Sequence, residues 1–301
     1  MIINRYEHTY IFKKYKRVMI DVIDENDNPS QDRRVDVIIK NYEGTFPGGQ
    51  IMTVRPSDPD ISGDYTCKLE KGPENIFSVR QNCTVTAGRI QNGREYQLKI
   101  ISNDGKHSDV EVNARLNFVG FSHFAVTESV CVRFSKARPE EVLSFFKDLT
   151  QIEENKVLEL LSLKTINLPA KNRRYQDSIV DVFLASREGD SFLPKTDTLE
   201  HLRHITSTSG GFTNPNSIFG DPANVIYDYD PCTTSNTNGL NTNGPCQNGG
   251  KCSSRTLVQQ ETHITESEDT IFNSPILFQN VTCECLEEFS GEYCQLQKNP
   301  C

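Results

Sequence analysis

A short acidic segment near the start of the chain carries the clearest potential for chemistry. It reads Asp24-Glu25-Asn26-Asp27-Asn28-Pro29. Calcium takes about six to eight oxygen ligands at flexible distances, drawn from carboxylates, amides and backbone carbonyls. In an extended segment Asp24 and Asn26 point one way and Asp27 points the other, so this segment could serve more than one ion. The alternative interpretation is an ordinary polar turn, since Asn, Asp and Pro are turn residues as well.

Two further acidic groups follow predicted strands. Asp58-Pro-Asp60 comes after a strand predicted at 51–54, and Asp104-Gly105 comes after a strand predicted at 96–102. Each group by itself is also compatible with a turn, because strand ends collect Gly, Pro, Asn and Asp. Their carboxylates are nevertheless of the type that a calcium ion binds.

The three acidic motifs together resemble a cadherin repeat. The matching features are the Asp-x-Asn-Asp-Asn-Pro linker, the Asp-x-Asp after the second strand and the acidic group after a Tyr-x-Leu-x-Ile strand. Three motifs in the correct order are more specific than any one of them. The resemblance implies a β-sandwich that binds calcium, and its ligands would be Asp24, Asn26, Asp27, Asn28, Asp58, Asp60 and Asp104.

The sequence departs from the cadherin pattern at the far end of this repeat. Glu43 stands where such repeats place a glutamate that binds the ions, but the Leu-Asp-Arg-Glu stretch that accompanies it is absent. No second acidic linker closes the repeat, because Phe118-Val-Gly-Phe-Ser stands in its place. We therefore expect calcium at the N-terminal end of the repeat only, and we expect Glu43 to be a surface carboxylate.

Cysteines dominate the other end of the chain. Seven of the ten lie within the last seventy residues, a density typical of oxidising compartments, where disulfides replace missing core. The glycosylation sequons at Asn82 and Asn280 agree with such a compartment. A zinc site is disfavoured, since Cys283-Glu-Cys285 would hold two thiolates poorly in one tetrahedral site. Spacing alone leaves the pairing of these cysteines open.

This cysteine spacing resembles an EGF-like module, in which the Cys-x-Cys and the Gly-x-x-Cys ending are the specific parts. The resemblance implies the disulfides Cys232–Cys252, Cys246–Cys283 and Cys285–Cys294. Pro231 stands where calcium-binding EGF modules carry Glu or Gln, so we expect no calcium there. The unusually long segment at 253–282 predicts an extruded loop.

The other cysteines have separate expectations. Cys67 and Cys83 are expected to pair within the repeat. Cys131 lies on a predicted strand with no evident partner, and a buried thiol is the default for such a residue. Asn299-Pro-Cys301 is similar to the beginning of another module.

The elements that must position these residues differ along the chain. Residues 16–23 alternate apolar and polar side chains, which predicts a strand before the acidic linker. The same alternation recurs at 35–39, 96–100 and 110–118, with turn residues between. Residues 30–119 are therefore predicted to form an all-β sandwich.

The period of the pattern changes after residue 125. Strands are predicted at 128–134, 178–186 and 223–227, and helices from Pro139, at 153–163 and at 197–205. That order suggests an α/β domain of the split-βαβ type, ferredoxin-like or SEA-like, with one strand not located.

No catalytic constellation stands out in the sequence. His201 and His204 share a predicted helix, but no third ligand accompanies them, which favours a solvated helix face over a zinc site. Gly189-Asp-Ser191 resembles the self-cleaving turn of SEA domains, yet Phe192-Leu-Pro after it fits that turn poorly. We therefore predict that the protein is not an enzyme.

Charge and hydropathy limit which partners and which location are compatible with the sequence. The net charge of −9 disfavours nucleic acid, which is bound mainly through Lys and Arg. No apolar run approaches the roughly 20 residues of a membrane span, and residues 1–17 lack the apolar core of a signal peptide. Sequons and disulfides without a signal or an anchor predict an internal piece of a longer extracellular protein.

The order of the modules resembles the membrane-proximal ectodomain of Fat-like cadherins, and Flamingo-type and invertebrate classical cadherins have similar layouts. The expected boundaries are 1–29 for the last strand and linker of an upstream repeat, 30–119 for a cadherin repeat, 120–230 for the α/β domain, 231–296 for the EGF-like module and 297–301 for a further module.

This resemblance implies calcium-dependent cell–cell adhesion, with Ca²⁺ stiffening the joint between repeats. The expected partners are other cadherins on the same or opposing cells, and the expected location is the outer side of the plasma membrane, with an anchor beyond residue 301. The alternative is a soluble or shed fragment whose EGF-like module binds a receptor.

Overall fold

The N-terminal part of the chain is built from strands. The computed structural model describes residues 25–60, 64–148, 151–153, 156–167, 178–208, 225–233 and 244–298. The predicted strand at 16–23 and Asp24 lie outside these residues. The strands of this part are β1 (Arg33–Tyr42), β2 (Thr45–Phe46), β3 (Gly49–Thr53), β4 (Thr66–Lys71), β5 (Phe77–Val79), β6 (Thr84–Ala87), β7 (Ile90–Gln91), β8 (Arg94–Asn103) and β9 (Val110–Phe121).

These strands form the two layers of a sandwich. One layer contains β1, β9, β8 and β4 in that order, and the other contains β3, β6 and β5. β1 runs parallel to β9, whereas β9, β8 and β4 pair antiparallel. Alternate side chains such as Val37, Leu116 and Phe118 are fully buried between the layers, as the sequence alternation predicts. The predicted β-sandwich is therefore confirmed for this part of the chain.

The middle of the chain forms an α/β unit. Its elements are α1 (His123–Thr127), β10 (Val130–Ser135), α2 (Pro139–Asp148), β11 (Gln151–Glu153), β12 (Lys156–Asn167), β13 (Ser178–Glu188), β14 (Ser191–Phe192), α3 (Lys195–Thr208) and β15 (Val225–Ile226). The main sheet has the order β11-β12-β13-β10-β15, and all of its pairs are antiparallel. Leu143 of α2 and Leu202 of α3 pack into the same core against this sheet.

The helix predicted at 153–163 is wrong, because this stretch lies mostly in strand β12. A bulge between Leu160 and Ser162 changes the face that its side chains present. Leu158 then packs into the core beneath α2, whereas Leu161 packs into a second core on the other side of the sheet. A strand covered on both faces carries apolar side chains on both, so its sequence lacks the alternation with a period of two. The spacing of its leucines therefore resembles that of one apolar face of a helix. β12 is thus a strand of this sheet that the sequence did not predict.

The cysteine-rich end contains a long hairpin in place of the expected extruded loop. Its strands are β16 (Lys251–Glu266) and β17 (Thr270–Glu284), and two short strands follow, β18 (Phe289–Ser290) and β19 (Leu296–Gln297). β17 pairs parallel with β1, so the first sheet extends to six strands in the order β16-β17-β1-β9-β8-β4. The expectation of an extruded loop is therefore wrong, because this segment packs against the rest of the chain.

Within the described residues, no helix has the length and apolar character that crossing a membrane requires.

Candidate metal centre

The acidic linker reaches the sandwich at the N-terminal end of β1. The backbone N–H of Asn28 donates to Asp60 Oδ2 at 2.8 Å. The side-chain Nδ2 of Asn28 donates to Asp60 Oδ1 at 2.6 Å and to Asp27 Oδ1 at 2.9 Å. Asp60 is nearly buried, with 9% of its surface exposed. Two of the predicted ligand groups, the linker and the Asp-x-Asp motif, are therefore in contact.

Asp58 is held by three donors. Its Oδ1 accepts the backbone N–H of Asp60 at 2.8 Å, and its Oδ2 accepts the hydroxyls of Ser30 at 2.5 Å and Tyr65 at 2.8 Å. Burial alone would raise the pKa of Asp58, but these hydrogen bonds outweigh it and hold the pKa below its usual value. Burial and the bond to Asp58 raise the pKa of Tyr65 to about 12. Asp58 is therefore a fixed, ionised carboxylate at neutral pH.

Asp104 brings the third predicted group to the same end. Its carboxylate accepts the backbone N–H groups of Lys106 at 2.9 Å and His107 at 2.8 Å, and Nδ1 of His107 lies 2.8 Å from Oδ2. The hydrogen bonds from His107 hold the pKa of Asp104 well below its ordinary range. The backbone carbonyl of Asp104 accepts Nδ2 of Asn26 at 3.3 Å. The linker therefore contacts both acidic groups of the sandwich.

One oxygen at this end lacks a partner. Asn26 Oδ1 is buried and accepts no hydrogen bond from the described residues. An unpaired buried acceptor costs about 1–3 kcal/mol, and a divalent cation is one partner that would satisfy it. The described residues contain no cluster of three acidic, His or Cys side chains that could hold a metal ion by themselves. Amide and carbonyl oxygens, together with Asp24 outside the described residues, would have to complete a calcium site, and such oxygens are suitable ligands.

Sequence reasoning missed the residues that hold these carboxylates in place. Ser30, Tyr65 and His107 are not calcium ligands in the pattern of the linker motifs, but each donates to a predicted ligand. Of these three residues, only Ser30 directly follows a recognised motif, because it comes after Pro29 of the acidic linker. Glu43 is exposed on the surface at the end of β1, at the opposite end of the sandwich.

The disulfides among the described residues are the three that the resemblance to an EGF-like module implies and the expected pair of Cys67 with Cys83. The bonds are Cys67–Cys83, Cys232–Cys252, Cys246–Cys283 and Cys285–Cys294. Cys252 and Cys283 lie opposite each other at the base of the long hairpin, and each is bonded to a cysteine outside it. The base of the hairpin is therefore tied to the preceding chain at two points. Of the two sequons, Asn82 is exposed and Asn280 is half-buried on β17.

The residues considered for catalysis have structural roles. His201 is half-buried, and its Nδ1 lies 2.6 Å from Ser186 Oγ, so the expected solvated helix face is wrong for this residue. Gly189 and Asp190 form the tight turn between β13 and β14, where Glu188 pairs with Ser191.

Cys131 should be inert towards alkylation in the native protein. Its thiol is 1% exposed and is the free cysteine of the described chain, as expected from the sequence. Burial raises the pKa of Cys131 well above its usual value, and thiolate is the reactive form. We expect iodoacetamide to leave Cys131 unmodified at pH 8 and to modify it after denaturation, as mass spectrometry of the tryptic peptides would show. Rapid native labelling would contradict its burial.

Comparison with known proteins shows which proteins this chain resembles. No protein-family model matches it. Its sequence homologues are cadherins, of the Fat-like type and of the seven-pass receptor type. The predicted resemblance to Fat-like cadherins is thereby confirmed.

The particular relatives cover nearly the whole chain. Human protocadherin Fat 4 is 28% identical over 291 residues, which is 94% of this chain and 5% of that protein. The Drosophila melanogaster Fat-like cadherin-related tumor suppressor homolog is 26% identical over 310 residues, or 94% of this chain and 6% of the relative. Cadherin EGF LAG seven-pass G-type receptor 2 of Rattus norvegicus is 24% identical over 305 residues, or 94% of this chain and 13% of the relative. The chain thus spans a small part of each relative.

Among solved structures, the mouse cadherin-23 fragment EC22-24 shares 24% identity over 33% of each chain, with a TM-score of 0.25.

Proposed function

We propose that this chain is an ectodomain segment that supports calcium-dependent adhesion between cells. Its cadherin homologues support an adhesion-type ectodomain. The observation that carries the calcium part is the buried, unpaired Oδ1 of Asn26, whose side-chain amide donates to the backbone carbonyl of Asp104. The proposed ligands are Asp24, Asn26, Asp27, Asn28, Asp58, Asp60 and Asp104.

The mechanism is electrostatic. The charge of Asp104 acts to raise the pKa of Asp58, but hydrogen bonds lower the pKa of both carboxyl groups and keep them ionised. Two carboxylates at one end of a sandwich repel each other and the acidic linker. Calcium, when bound, would neutralise this charge and fix the linker relative to the sandwich, which sets the angle to a preceding repeat.

The arrangement of the other units supports a modular ectodomain. The order β12-β13-β10-β15, with two helices packed into one core, favours a ferredoxin-like or SEA-like domain at 120–230. Disulfides linking Cys232–Cys252, Cys246–Cys283 and Cys285–Cys294 favour an EGF-like module at 231–296. We infer a role in adhesion and not in catalysis. We also infer an extracellular location at the plasma membrane, N-glycans on Asn82 and Asn280, and other cadherins as homophilic or heterophilic partners.

Calcium titration of the full chain tests the ligand assignment. Ligand at about 100 times its dissociation constant stabilises the bound state by about 2.7 kcal/mol, which for a chain of 301 residues raises the melting temperature by roughly 4 °C. Replacing Asp60 by asparagine should weaken calcium binding in calorimetry and remove most of this rise. Glu43→Gln is the matched control, because it removes an exposed carboxylate at the opposite end. An unchanged calcium affinity in Asp60→Asn would contradict the assignment.

A further inference from the structure

The β16–β17 hairpin makes specific contacts with the sandwich. Thr270 to Asn273 of β17 pair with Asp36 to Ile39 of β1, and Ile271 is buried in the core of the sandwich. Asn273 Nδ2 donates to the carbonyls of Ile51 at 3.0 Å and Gln50 at 3.2 Å in the opposite layer. Strand β17 of the hairpin is therefore part of the sandwich, although it comes from the cysteine-rich end of the chain.

Arg33 holds the tip of the hairpin. Its guanidinium donates to Glu266 Oε1 at 2.6 Å and to the carbonyls of Ser267 at 3.2 Å and Glu268 at 2.9 Å. The side chain of Arg33 is 12% exposed, so these charge-assisted bonds are partly shielded from water. Such shielding makes a charge-assisted hydrogen bond stronger. The turn between the two strands is thus fastened to the start of β1.

The same hairpin packs against the α/β unit. Phe272, next to Ile271 in the chain, points the other way and is buried in the core beneath α2. Leu277 is fully buried in the second core, with Leu161 and Phe183. Ser162 Oγ donates to the carbonyl of Pro275 at 2.7 Å and accepts the N–H of Leu277 at 3.1 Å. Adjacent residues of one strand therefore complete the cores of two different units.

A direct ion-pair contact joins the two units beside the hairpin. Lys40 Nζ of β1 lies 2.5 Å from Glu159 Oε1 of β12, and both side chains are at most 8% exposed. Arg187 Nε of β13 lies 3.0 Å from the other carboxylate oxygen of Glu159. The attraction between two buried charges offsets their desolvation only where the geometry is good, so this contact favours one orientation of the units.

We propose that the hairpin and this ion-pair contact fasten the sandwich, the α/β unit and the cysteine-rich end into one cooperatively unfolding body whose joint needs no calcium. This function of the hairpin is independent of the proposed calcium site, because the contacts that carry it are apolar side chains, hydrogen bonds and ion pairs. The proposal makes the cysteine-rich end an intramolecular partner of the sandwich, with β1 as its docking edge.

Hydrogen exchange of the full chain in excess chelator tests the proposal. Ile271→Val trims the side chain in the sandwich core, and Phe272→Leu trims its neighbour in the α/β core. For one cooperative body, each variant should speed exchange by the same factor in β8 and in β13, about 2- to 13-fold for Ile271→Val. Leu286→Ala is the control, since Leu286 is 55% exposed in the cysteine-rich end.

Two results would overturn the proposal. One is faster exchange in β8 alone for Ile271→Val together with faster exchange in β13 alone for Phe272→Leu, because the units would then unfold separately. The other is an effect no larger than that of Leu286→Ala. The chelator keeps the test separate from the proposed function, since a chain that binds no calcium at all can still give the expected result.

Discussion

Replacing Glu159 by glutamine should destabilise the protein by about 3–5 kcal/mol, the usual cost of removing one partner from a buried ion pair. Among the described residues, Glu159 is the only anion that forms an ion pair with Lys40 or Arg187. Burial lowers the pKa of Lys40, and the attraction of Glu159 opposes that shift. Without the carboxylate, the buried Lys40 ammonium lies beside the partly exposed Arg187 guanidinium with no counter-charge from Glu159. Urea unfolding at pH 7 would measure the loss.

An exposed pair provides the control for this prediction. Arg115 and Glu95 lie 3.6 Å apart with side chains more than half exposed, and Glu95→Gln should cost no more than about 1 kcal/mol. A simultaneous change of Lys40 to methionine and Glu159 to leucine should recover part of the stability that Glu159→Gln loses, since apolar replacement of a buried pair is often tolerated. Equal losses for Glu159→Gln and Glu95→Gln would show that the contact between the units contributes little.

The parts of the fold that the sequence predicts are those with a local signal. β8 and β9 each have one face in the core and one in water, so alternation such as that of Leu98 and Ile100 is visible along the chain. β12 has both faces covered, and its pattern therefore carried no period of two. The pairing of Asp36 with Thr270 joins residues that are far apart in the sequence, and no local pattern encodes such a contact. The two strands of the hairpin are recognised only in the structure, where β17 pairs with β1 and packs into the cores of the sandwich and the α/β unit.

The candidate site divides in the same way. The acidic residues could be predicted because carboxylates and amides at strand ends have a recognisable spacing. The donors that fix them, such as Tyr65 on Asp58 and His107 on Asp104, could not. Tyrosine and histidine occur throughout the chain, and only the fold selects which of them faces a carboxylate. Sequence thus indicates where an ion could bind, and the structure shows why Asp58 and Asp104 remain charged without it.

Removing the Cys246–Cys283 disulfide should destabilise the protein by about 4 kcal/mol, because the bond closes a loop with a sequence separation of 37 residues and restricts the unfolded chain accordingly. The variant replaces both cysteines by alanine, so that no free thiol remains. Cys283 lies at the base of the hairpin, opposite Cys252, and the loss should therefore appear in the unfolding of the whole chain. Urea unfolding under non-reducing conditions would measure it.

The Cys285–Cys294 bond is the matched comparison for this prediction. Its sequence separation is 9 residues, and the same relation gives about 2.7 kcal/mol for its removal. It also lies beyond the hairpin, so its loss should leave the contacts of Ile271 and Phe272 intact. The Cys246–Cys283 bond closes the longer loop, so its loss should cost more and should speed hydrogen exchange in β8 and β13 by the larger factor. If instead the short loop had the larger effect on those strands, the hairpin would not be the element that couples the cysteine-rich end to the rest of the molecule.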